Sequence, residues 1–378
     1  MSLLRYATLG GDKFRDEYSL SFDGTNDYVD CGNDSSIQMG TNDFSICAWI
    51  KKAVDNENAV IVAHGRDTDP RWFFRIDDSN KLEMFSDDGT GTSLISASTI
   101  TGTGWNHVAF SWDRDSATGA KIYINGVLDA ERDGTDEQGT LTNSSYGTLI
   151  GARRTTGSTI AQYWNGKISE IALYSSALSA SQVKTIYNGR EPYNHKEGVA
   201  SGSLVSWWRM GDGALDDKNG LIGDETNVTK SSQIIADGNF DTAVGESTTG
   251  TYWITQAGWT IGSGSATYDG GGDSNTRLTS VVNSDIIDAE IHQVNFTLTD
   301  TGGGGVYLRL CDGSWSLVTG TGEKTIYILA GTGTNNITFE TGHNDKAFTI
   351  DNLTIYKING NAGLMTNMTS DDFTGDTP

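Results

Sequence analysis

The stretch GWNHVAFSWDRDSATGAKIYINGVLD, residues 104–129, decides the fold class. Apolar and polar residues alternate over 105–113 and again over 120–130, and this period of two is typical of β-strands with one buried face. The polar loop DRDSATG joins the two runs, and the Asn-Gly pair at 125–126 indicates the next tight turn. The stretch therefore predicts neighbouring antiparallel strands.

The same alternation extends to both sides of this stretch. From Tyr18 onward, ten or more short alternating runs are separated by turn residues within about 160 residues, which predicts a sandwich of two sheets. The period changes in SALSASQVKTIYNG, residues 176–189, where Leu178, Val183 and Ile186 have near-helical spacing. Because a serine precedes this segment and a glycine follows it, we predict one short helix there.

The overall charge limits the classes of partner. The chain of 378 residues carries 49 acidic and 26 basic residues, which gives a formal net charge of −23. This field repels phosphate backbones and anionic lipid surfaces, so nucleic acid is not an expected partner. No apolar run approaches the ~18 residues of a membrane span, so no membrane insertion is expected. The surplus carboxylates are oxygen ligands of the kind that Ca²⁺ binds, although a solvated acidic surface explains most of them.

Cysteine usage and the N-terminus indicate where the chain is made. Cys31, Cys47 and Cys311 are odd in number, lack CxxC spacing and lie in β-like runs, which favours buried free thiols over a disulfide framework. The N-terminus MSLLRYATLGGDKFRDEYS lacks a cationic region followed by an apolar stretch, so it is not a signal peptide. Both observations favour synthesis in a reducing cytoplasm.

Four motifs occur in order over residues 18–190. They are SLSFDGTNDYVDCG, FSICAWIKK, the stretch quoted above and YWNGKISEIALYSSALSASQVKTIYNG. Together they resemble the laminin-G-like, concanavalin-A-like jelly-roll domain. The resemblance implies two curved antiparallel sheets and, in many relatives, a structural Ca²⁺ and the binding of a glycan or a protein on the concave face or at the rim.

A second β-pattern, rich in Gly and Thr, occupies residues 231–358. Its opening GNFD at 238–241, its GWT strand at 258–260 and its closing FTIDNLTIYKI at 348–358 are similar to those of the jelly-roll carbohydrate-binding modules. The resemblance, which covers residues 232–358, implies a second β-sandwich.

The segment between the two patterns is related to the C-terminal tail. LVSWWRMGDGALDDKNG, residues 204–220, and GNAGLMTNMTSDDFTGDTP, residues 360–378, resemble segments that lie close together in bacteriophage particle proteins carrying a laminin-G-like domain. The second jelly roll is therefore interpreted as an insertion, which requires that its first and last strands are neighbours. The predicted all-β chain comprises an N-terminal arm (1–17), a laminin-G-like jelly-roll sandwich (18–190), a linker (191–230), a carbohydrate-binding-module-like jelly-roll sandwich (231–358) and a tail (359–378).

We predict that the protein is not an enzyme and has no catalytic residues. Glycosidases of the concanavalin-A-like fold carry three carboxylates on one face of a strand, where a nucleophile and an acid lie about 5 Å apart. The corresponding strand here, residues 167–174, places Glu170, Ala172 and Tyr174 on that face, and one carboxylate is insufficient. The five histidines are far apart in sequence and form no HExxH motif, and no GxSxG motif is present.

Two pairs of acidic residues are candidate Ca²⁺ ligands. By resemblance to the carbohydrate-binding modules, Asp241 and Asp351 correspond to residues that hold a structural Ca²⁺ between the first and last strands. Relatives often carry Glu at the first position and a second acid beside the Asp, whereas this chain has Asp241 and Asn352. In the first domain, Asp23 and Asp27 are oxygen donors around the FDGTND turn, but an Asx turn explains them equally well.

Glycan binding requires exposed aromatic faces, because sugars present C–H patches that pack on a ring while Asp, Asn and Arg bond their hydroxyl groups. Most aromatic side chains of a β-sandwich are core, and we interpret four tryptophans in this way: Trp49, Trp105, Trp112 and Trp259. Trp315 follows an Asp-Gly pair in a predicted loop and is the first candidate for a glycan-binding ring. The other candidates are Tyr307, Tyr268 and Trp253 in the second domain and Trp72, Tyr163 and Trp164 in the first.

These observations favour a non-enzymatic structural protein of a phage particle, either a capsid decoration or part of a tail fibre, that binds host-surface glycans for adhesion. Its expected partners are other virion proteins, host glycans and further copies of itself in a homo-oligomer. Its expected location is the virion after synthesis in the host cytoplasm, with the arm 1–17 as the docking segment. A secreted cellular carbohydrate-binding protein, or an accessory module of a polysaccharide-degrading system, is the alternative, and an architectural role without a ligand also stays open.

Overall fold

The computed structural model describes most of the chain. The described residues are 14–55, 57–68, 70–156, 159–226, 228–242, 251–271, 275–281, 283–288, 290–300, 303–341 and 346–378. Residues 1–13 of the arm 1–17 lie outside the described residues, so its predicted docking role stays a prediction. The chain divides into two compact units, the first within residues 1–28, 33–216 and 371–378 and the second within residues 29–32 and 217–370.

The described residues form β-strands and one α-helix, which confirms the all-β fold class. In chain order these elements are β1 (Ser19–Asp23), β2 (Tyr28–Asp30), β3 (Phe44–Lys52), β4 (Ala59–His64), β5 (Arg71–Ile76), β6 (Lys81–Asp87), β7 (Gly91–Thr99), β8 (Asn106–Trp112), β9 (Ala120–Ile124), β10 (Val127–Arg132), β11 (Thr148–Ile150), β12 (Arg153–Arg154), β13 (Ile160–Ala161), β14 (Asn165–Tyr174), α1 (Ala180–Tyr187), β15 (Leu204–Trp208), β16 (Leu221–Ile222), β17 (Thr229–Lys230), β18 (Trp253–Thr255), β19 (Trp259–Gly262), β20 (Ser265–Tyr268), β21 (Arg277–Ser280), β22 (Ile291–Asp300), β23 (Val306–Leu310), β24 (Ser316–Val318), β25 (Gly322–Leu329), β26 (Ile337–Thr341), β27 (Phe348–Asn359), β28 (Gly363–Thr366) and β29 (Phe373–Thr374).

Two large antiparallel sheets and the short pair β12-β13 form the first unit. One has the strand order β10-β9-β8-β3-β14-β1-β29, with β15 also paired to β14, and the other contains β11-β4-β5-β6-β7. The stretch that decides the fold forms β8, β9 and β10, and its register pairs Phe110 with Ile122 and Trp112 with Ala120. These four side chains are buried, because strand alternation directs them away from solvent.

The predicted helix is α1, which lies against the first of these sheets. Ser179 caps the helix: its hydroxyl accepts the backbone N–H of Gln182, and the Gln182 side chain accepts the backbone N–H of Ser179. Val183 and Ile186 are buried in one apolar cluster with Trp207. The amphipathic spacing read from the sequence therefore marks the face that packs on the sheet.

Parts of the predicted linker and tail belong to the first unit. Residues Leu204–Trp208 form β15, in which Trp207 lies opposite Ala172 of β14. Residues Phe373–Thr374 form β29, which pairs with β1. The chain thus leaves this unit after residue 216 and returns to it at residue 371.

Asp376 anchors the tail to the first unit. Its carboxylate accepts hydrogen bonds from Lys51 Nζ at 2.7 Å, Lys167 Nζ at 2.6 Å and Trp105 Nε1 at 3.2 Å. The Lys167 and Lys51 bonds hold the pKa of the Asp376 carboxyl well below its usual range. Trp105 is half-buried, and its indole N–H bonds to the tail. The interpretation of Trp105 as a core residue is therefore wrong.

The second unit has its own pair of antiparallel sheets. One has the order β19-β20-β27-β22-β25, with β17 also paired to β27, and the other has the order β18-β21-β26-β23-β24. The apolar side chains between them include Trp253, Trp259, Phe296, Phe339 and Ile350. The predicted GWT strand and closing strand are β19 and β27 of the first of these sheets.

Cys31, Cys47 and Cys311 are buried free thiols, as their spacing predicts. Burial raises the pKa of the Cys47 thiol far above its usual value, which keeps it in the unreactive protonated form. Within the described residues, no helix has the length and apolar character needed to cross a membrane.

Candidate functional site

The outer face of β21, β26 and β23 in the second unit carries a group of polar and aromatic side chains. Leu278, Phe339 and Leu308 are fully buried, so the residues that alternate with them lie on the opposite, outer face. The register places Arg277 opposite Glu340, and Glu340 opposite Tyr307. We call the group of Arg277, Tyr307, Arg309, Trp315 and Glu340 the Trp315 face.

Trp315 is held on this face by two arginines. The chain reverses after β23 through Cys311 and Asp312, whose positive φ angles of 48° and 54° are those of a tight turn. This turn brings the half-buried indole to Arg309, whose guanidinium carbon lies 4.3 Å from the ring centroid. The guanidinium carbon of Arg277 lies 5.6 Å from the same centroid. Both distances are within the range of cation–π attraction, so the ring is fixed in position.

Carboxylates orient both guanidinium groups. Arg277 Nε donates to Glu340 Oε2 at 2.6 Å, and Arg309 lies 2.7 Å from Asp312 Oδ1. The face therefore combines an aromatic ring with N–H donors and carboxylate acceptors of balanced charge. This combination suits the hydroxyl groups and C–H patches of a sugar.

Four of the seven predicted glycan-binding rings are fully buried. Trp72, Trp164, Trp253 and Tyr268 are each 0% exposed, so the prediction that they offer a face to a glycan is wrong. The reason is strand register: Trp72, for example, points into the core together with Phe74, and the intervening Phe73 points outward.

The remaining three rings are half-buried. Tyr307 and Trp315 belong to the Trp315 face of the second unit. Tyr163 belongs to the first unit, where its hydroxyl donates to the carbonyl of Ile160 at 3.1 Å. Arg277, Arg309 and Glu340 were not among the predicted site residues, because aromatic rings alone do not indicate the charged side chains at the same alternating positions. The patterns TRLTS and VYLRL, residues 276–280 and 306–310, carry that signal.

Both predicted Ca²⁺ ligands of the second unit take part in local backbone contacts, but only Asp351 uses its carboxylate. The backbone N–H of Asp241 donates to Asp237 Oδ1 at 2.8 Å, and Asp351 Oδ1 accepts the N–H of Asn352 at 2.6 Å. Within the described part of the chain, no group of three or more His, Cys, Asp or Glu side chains is arranged to hold a metal ion. Calcium at Asp241 and Asp351 therefore stays a prediction.

In the first unit, the acidic pair at the FDGTND turn forms an Asx turn. Asp23 Oδ1 accepts the backbone N–H groups of Thr25 at 2.7 Å and Asn26 at 3.2 Å, and Asp27 Oδ2 accepts the N–H of Asp23 at 2.9 Å. Burial, with added repulsion from Asp23 and Asp372, raises the pKa of Asp27 to about 6. These contacts match the Asx turn, which is the alternative to Ca²⁺ binding for Asp23 and Asp27.

Glu170, the single carboxylate on the strand that corresponds to the glycosidase motif, has a structural environment. It is buried within β14 at a φ of 53°, beside a register shift between Ser169 and Ala172. Trp207 Nε1 donates to Glu170 Oε2 at 2.5 Å, and Arg209 Nε lies 3.2 Å from Glu170 Oε1. Burial raises the pKa of Glu170 to about 8, although Arg209 opposes this shift. A side chain enclosed in this way has no access to a polysaccharide.

Comparisons with known proteins bear on the fold. Residues 23–184 match the family model of the concanavalin A-like lectin/glucanases superfamily, which supports the jelly-roll prediction for the first domain. No curated protein matches the chain.

Among solved structures, the chain is similar to a protein of Bacteroides ovatus to which carbohydrate binding has been attributed, at 21% identity and a TM-score of 0.44. That match covers 56% of this chain and 56% of the Bacteroides chain. It is also similar to the CBM40 module of the Ruminococcus gnavus IT-sialidase, at 17% identity, a TM-score of 0.37 and coverage of 45% and 96%. Domain 4 of an extracellular arabinanase from Geobacillus stearothermophilus matches at 20% identity, a TM-score of 0.33 and coverage of 40% and 69%.

Proposed function

We propose that this chain is a non-enzymatic glycan-binding protein and that the Trp315 face is its binding surface. One observation carries the proposal: two arginines fix an accessible indole ring on the outer face of a rigid sheet, and carboxylates orient those arginines. A site built on strands holds its groups in place before the ligand arrives, which reduces the entropy lost on binding. A neutral sugar would pack its C–H patch against the Trp315 and Tyr307 rings while its hydroxyl groups meet the guanidinium and carboxylate groups.

The test is a glycan array followed by titration calorimetry with the best neutral ligand. Replacing Trp315 or Tyr307 by alanine is expected to weaken binding by about 10- to 100-fold, because stacking on an aromatic ring contributes about 1–3 kcal/mol. Leu329→Ala is the matched control, since Leu329 is an exposed apolar residue on the other sheet of the same unit. Equal binding by the wild type and both aromatic variants would remove the Trp315 face from the proposal.

We further propose that the chain is a component of a bacteriophage particle, as a capsid decoration or in a tail fibre. The support is the phage-like WWRMGDG segment and C-terminal tail, together with the return of both segments to the first unit as β15 and β29. Several copies on one particle, assembled as a homo-oligomer with other virion proteins, would convert weak contacts to host glycans into avidity.

An accessory carbohydrate-binding module of a polysaccharide-degrading system uses the same kind of binding face, and location separates the two roles. Electron microscopy of purified phage particles labelled with an antibody against this chain is expected to show regularly spaced label on the capsid or tail. The absence of label on particles of the phage that encodes the chain would favour the accessory module.

A further inference from the structure

Leu317 of β24 extends the Trp315 face to the edge of its sheet. β24 is the last strand in the order of this sheet, and the Leu317 side chain is 51% exposed there. The next residue, Val318, is buried in the core of the unit, so Leu317 points to the opposite, outer face. Its register partner on β23 is Tyr307. The apolar surface of the Trp315 face therefore continues beyond the two aromatic rings.

One row of side chains crosses this face from charged to apolar. The register places Glu340 between Arg277 and Tyr307, and it places Tyr307 between Glu340 and Leu317. Adjacent strands lie about 4.8 Å apart, so the row of four residues spans about 14 Å. The ion pair of Arg277 and Glu340 occupies one end of the row, and Leu317 occupies the other. A ligand that covers the row meets polar groups, an aromatic ring and an aliphatic side chain in that order.

The two chain segments that meet at Leu317 carry no charge. Residues 316–322 read SLVTGTG, and residues 303–307 on the neighbouring strand and its turn read GGGVY. Gly305 has a φ of 69°, and a Cβ there would lie 2.5 Å from the carbonyl oxygen of Val318 and 3.2 Å from Leu317 Cδ1. Glycine is required at this close approach, and it adds no side chain that could cover the leucine. A ligand group on Leu317 therefore packs against an aliphatic, uncharged surface.

The neighbours of Leu317 distinguish it from other exposed leucines. A single apolar side chain on a protein surface needs no explanation by itself. Leu329 of β25 is also exposed, and its register partner is the apolar Ile291. The partner of Leu317 is instead a half-buried tyrosine of the Trp315 face. A sugar that packs on Tyr307 therefore extends over Leu317 as well.

We propose that the ligand of the Trp315 face is a sugar that carries a methyl group, and that Leu317 binds this methyl group. The inference rests on the proposed function of that face and names its substrate class. N-acetylhexosamines and 6-deoxyhexoses are the two kinds of neutral sugar that share this chemistry. Their hydroxyl groups would meet Arg277 and Glu340 while the methyl group packs on Leu317. A sugar with a hydroxyl group at that point would lose the hydration of this group against an apolar surface.

The test is titration calorimetry of the full chain with pairs of glycosides that differ by one methyl group. An N-acetylhexosamine is paired with its N-formyl counterpart, and a 6-deoxyhexose is paired with the pentose that lacks its methyl carbon. In the pair that binds with the higher affinity, the methyl-bearing sugar is expected to bind about fourfold more tightly than its counterpart, which is the gain from burying one group of this size. The two pairs also distinguish the two kinds of sugar.

Variants of Leu317 assign the preference to this residue. Leu317→Asn keeps the approximate size of the side chain but makes it polar, so it is expected to abolish the preference and to retain binding of the counterpart sugar. Leu317→Met keeps an aliphatic surface and is expected to keep the preference. Leu329→Ala, on the other sheet of the same unit, is the control and is expected to leave it unchanged. Because Leu317 is exposed, both of its variants are expected to keep the wild-type Tm.

The outcomes separate this inference from the proposed function. If no sugar binds, or if Trp315→Ala binds sugars as the wild type does, the binding face and its methyl site both fail. If binding requires Trp315 but neither pair shows a preference for the methyl-bearing sugar, the methyl site alone fails. A preference that survives in Leu317→Asn would likewise remove Leu317 from the site and leave the binding face standing.

Discussion

Replacing Trp207 by alanine is expected to lower the free energy of unfolding of the chain by about 3–5 kcal/mol, the cost of deleting a large buried ring. The Trp207 side chain is 2% exposed and lies in one apolar cluster with Tyr174 and the buried face of α1. Its ring centroid lies 5.1 Å from that of His195, and its indole N–H bonds to the buried Glu170. The alanine variant would leave both a cavity and a carboxyl group without its donor. Urea denaturation followed by far-ultraviolet circular dichroism measures the loss.

Trp207→Phe is the matched control for this prediction. It keeps most of the ring and removes the indole N–H, so it is expected to cost about 1–3 kcal/mol, the range for an unsatisfied buried polar group. A loss below about 1 kcal/mol in the alanine variant would contradict the placement of β15 in the sheet. It would instead support the interpretation of residues 191–230 as a linker.

Strand alternation explains which parts of the fold the sequence predicts. In β8 the large apolar side chains Val108, Phe110 and Trp112 occupy one set of alternate positions, so the strand and its core-facing side follow from the pattern. The burial of the opposite side, with Ala109 in the cluster that contains the helix residue Val183, does not follow from it. In RWFFRI both sets of alternate positions contain aromatic rings, and the pattern predicts a strand without its orientation. The prediction of Trp72 as the exposed ring is therefore wrong: Arg71 and Arg75 share alternate positions with Phe73 and mark the outer face. Long side chains can cover a ring and keep their charge in water, which a search for aromatic residues alone overlooks.

The Trp315 face also depends on contacts that are distant in sequence. Trp315 is predictable because an Asp-Gly turn precedes it within its own segment. Arg277 and Glu340 reach the same face only through the pairing of β21 with β26 and of β26 with β23. No local pattern specifies which strands become neighbours in a sheet, so these partners emerge only from the folded structure.

Raising the pH from 6 to 9 is expected to destabilise the chain by up to about 6 kcal/mol through a largely buried pair of carboxyl groups, because each raised pKa contributes about 1.4 kcal/mol per pH unit over which the folded group keeps its proton. Asp16 and Glu170 lie close to Asp212 and Arg209: Asp16 Oδ2 accepts from Ser169 Oγ at 3.1 Å, and Arg209 bonds to Glu170. Burial, followed by repulsion from Glu170 and a hydrogen bond with Asp212, raises the pKa of Asp16 to about 10, and burial raises that of Glu170 to about 8. Both groups therefore carry a proton in the folded chain at pH 6.

The sign of this effect follows from proton linkage. The ordinary values of the two groups are 3.8 and 4.5, so the folded chain binds more protons than the unfolded chain between about pH 4 and pH 10. The stabilisation is complete below the ordinary values and is lost as the pH rises through the raised ones. Segment 14–18 is affected first, because the backbone N–H groups of Glu17 and Tyr18 donate to Asp212 Oδ2 at 2.8 Å and 2.7 Å. Loss of the shared proton adds a second negative charge beside that acceptor.

Asp16→Asn isolates the contribution of the proton. The amide keeps an oxygen for Ser169 Oγ and supplies an N–H that can donate to Asp212 as the protonated carboxyl does, but it does not ionise. The variant is therefore expected to match the wild type in stability near pH 5, to exceed it by up to about 5 kcal/mol at pH 9, and to show a flatter pH profile in urea denaturation. Glu17→Gln removes the neighbouring, exposed carboxyl and is expected to keep the wild-type profile. Parallel profiles for Asp16→Asn and the wild type would mean that Asp16 is ionised throughout this range, and the N-terminal segment would then be held by Arg209 and Asp212 alone.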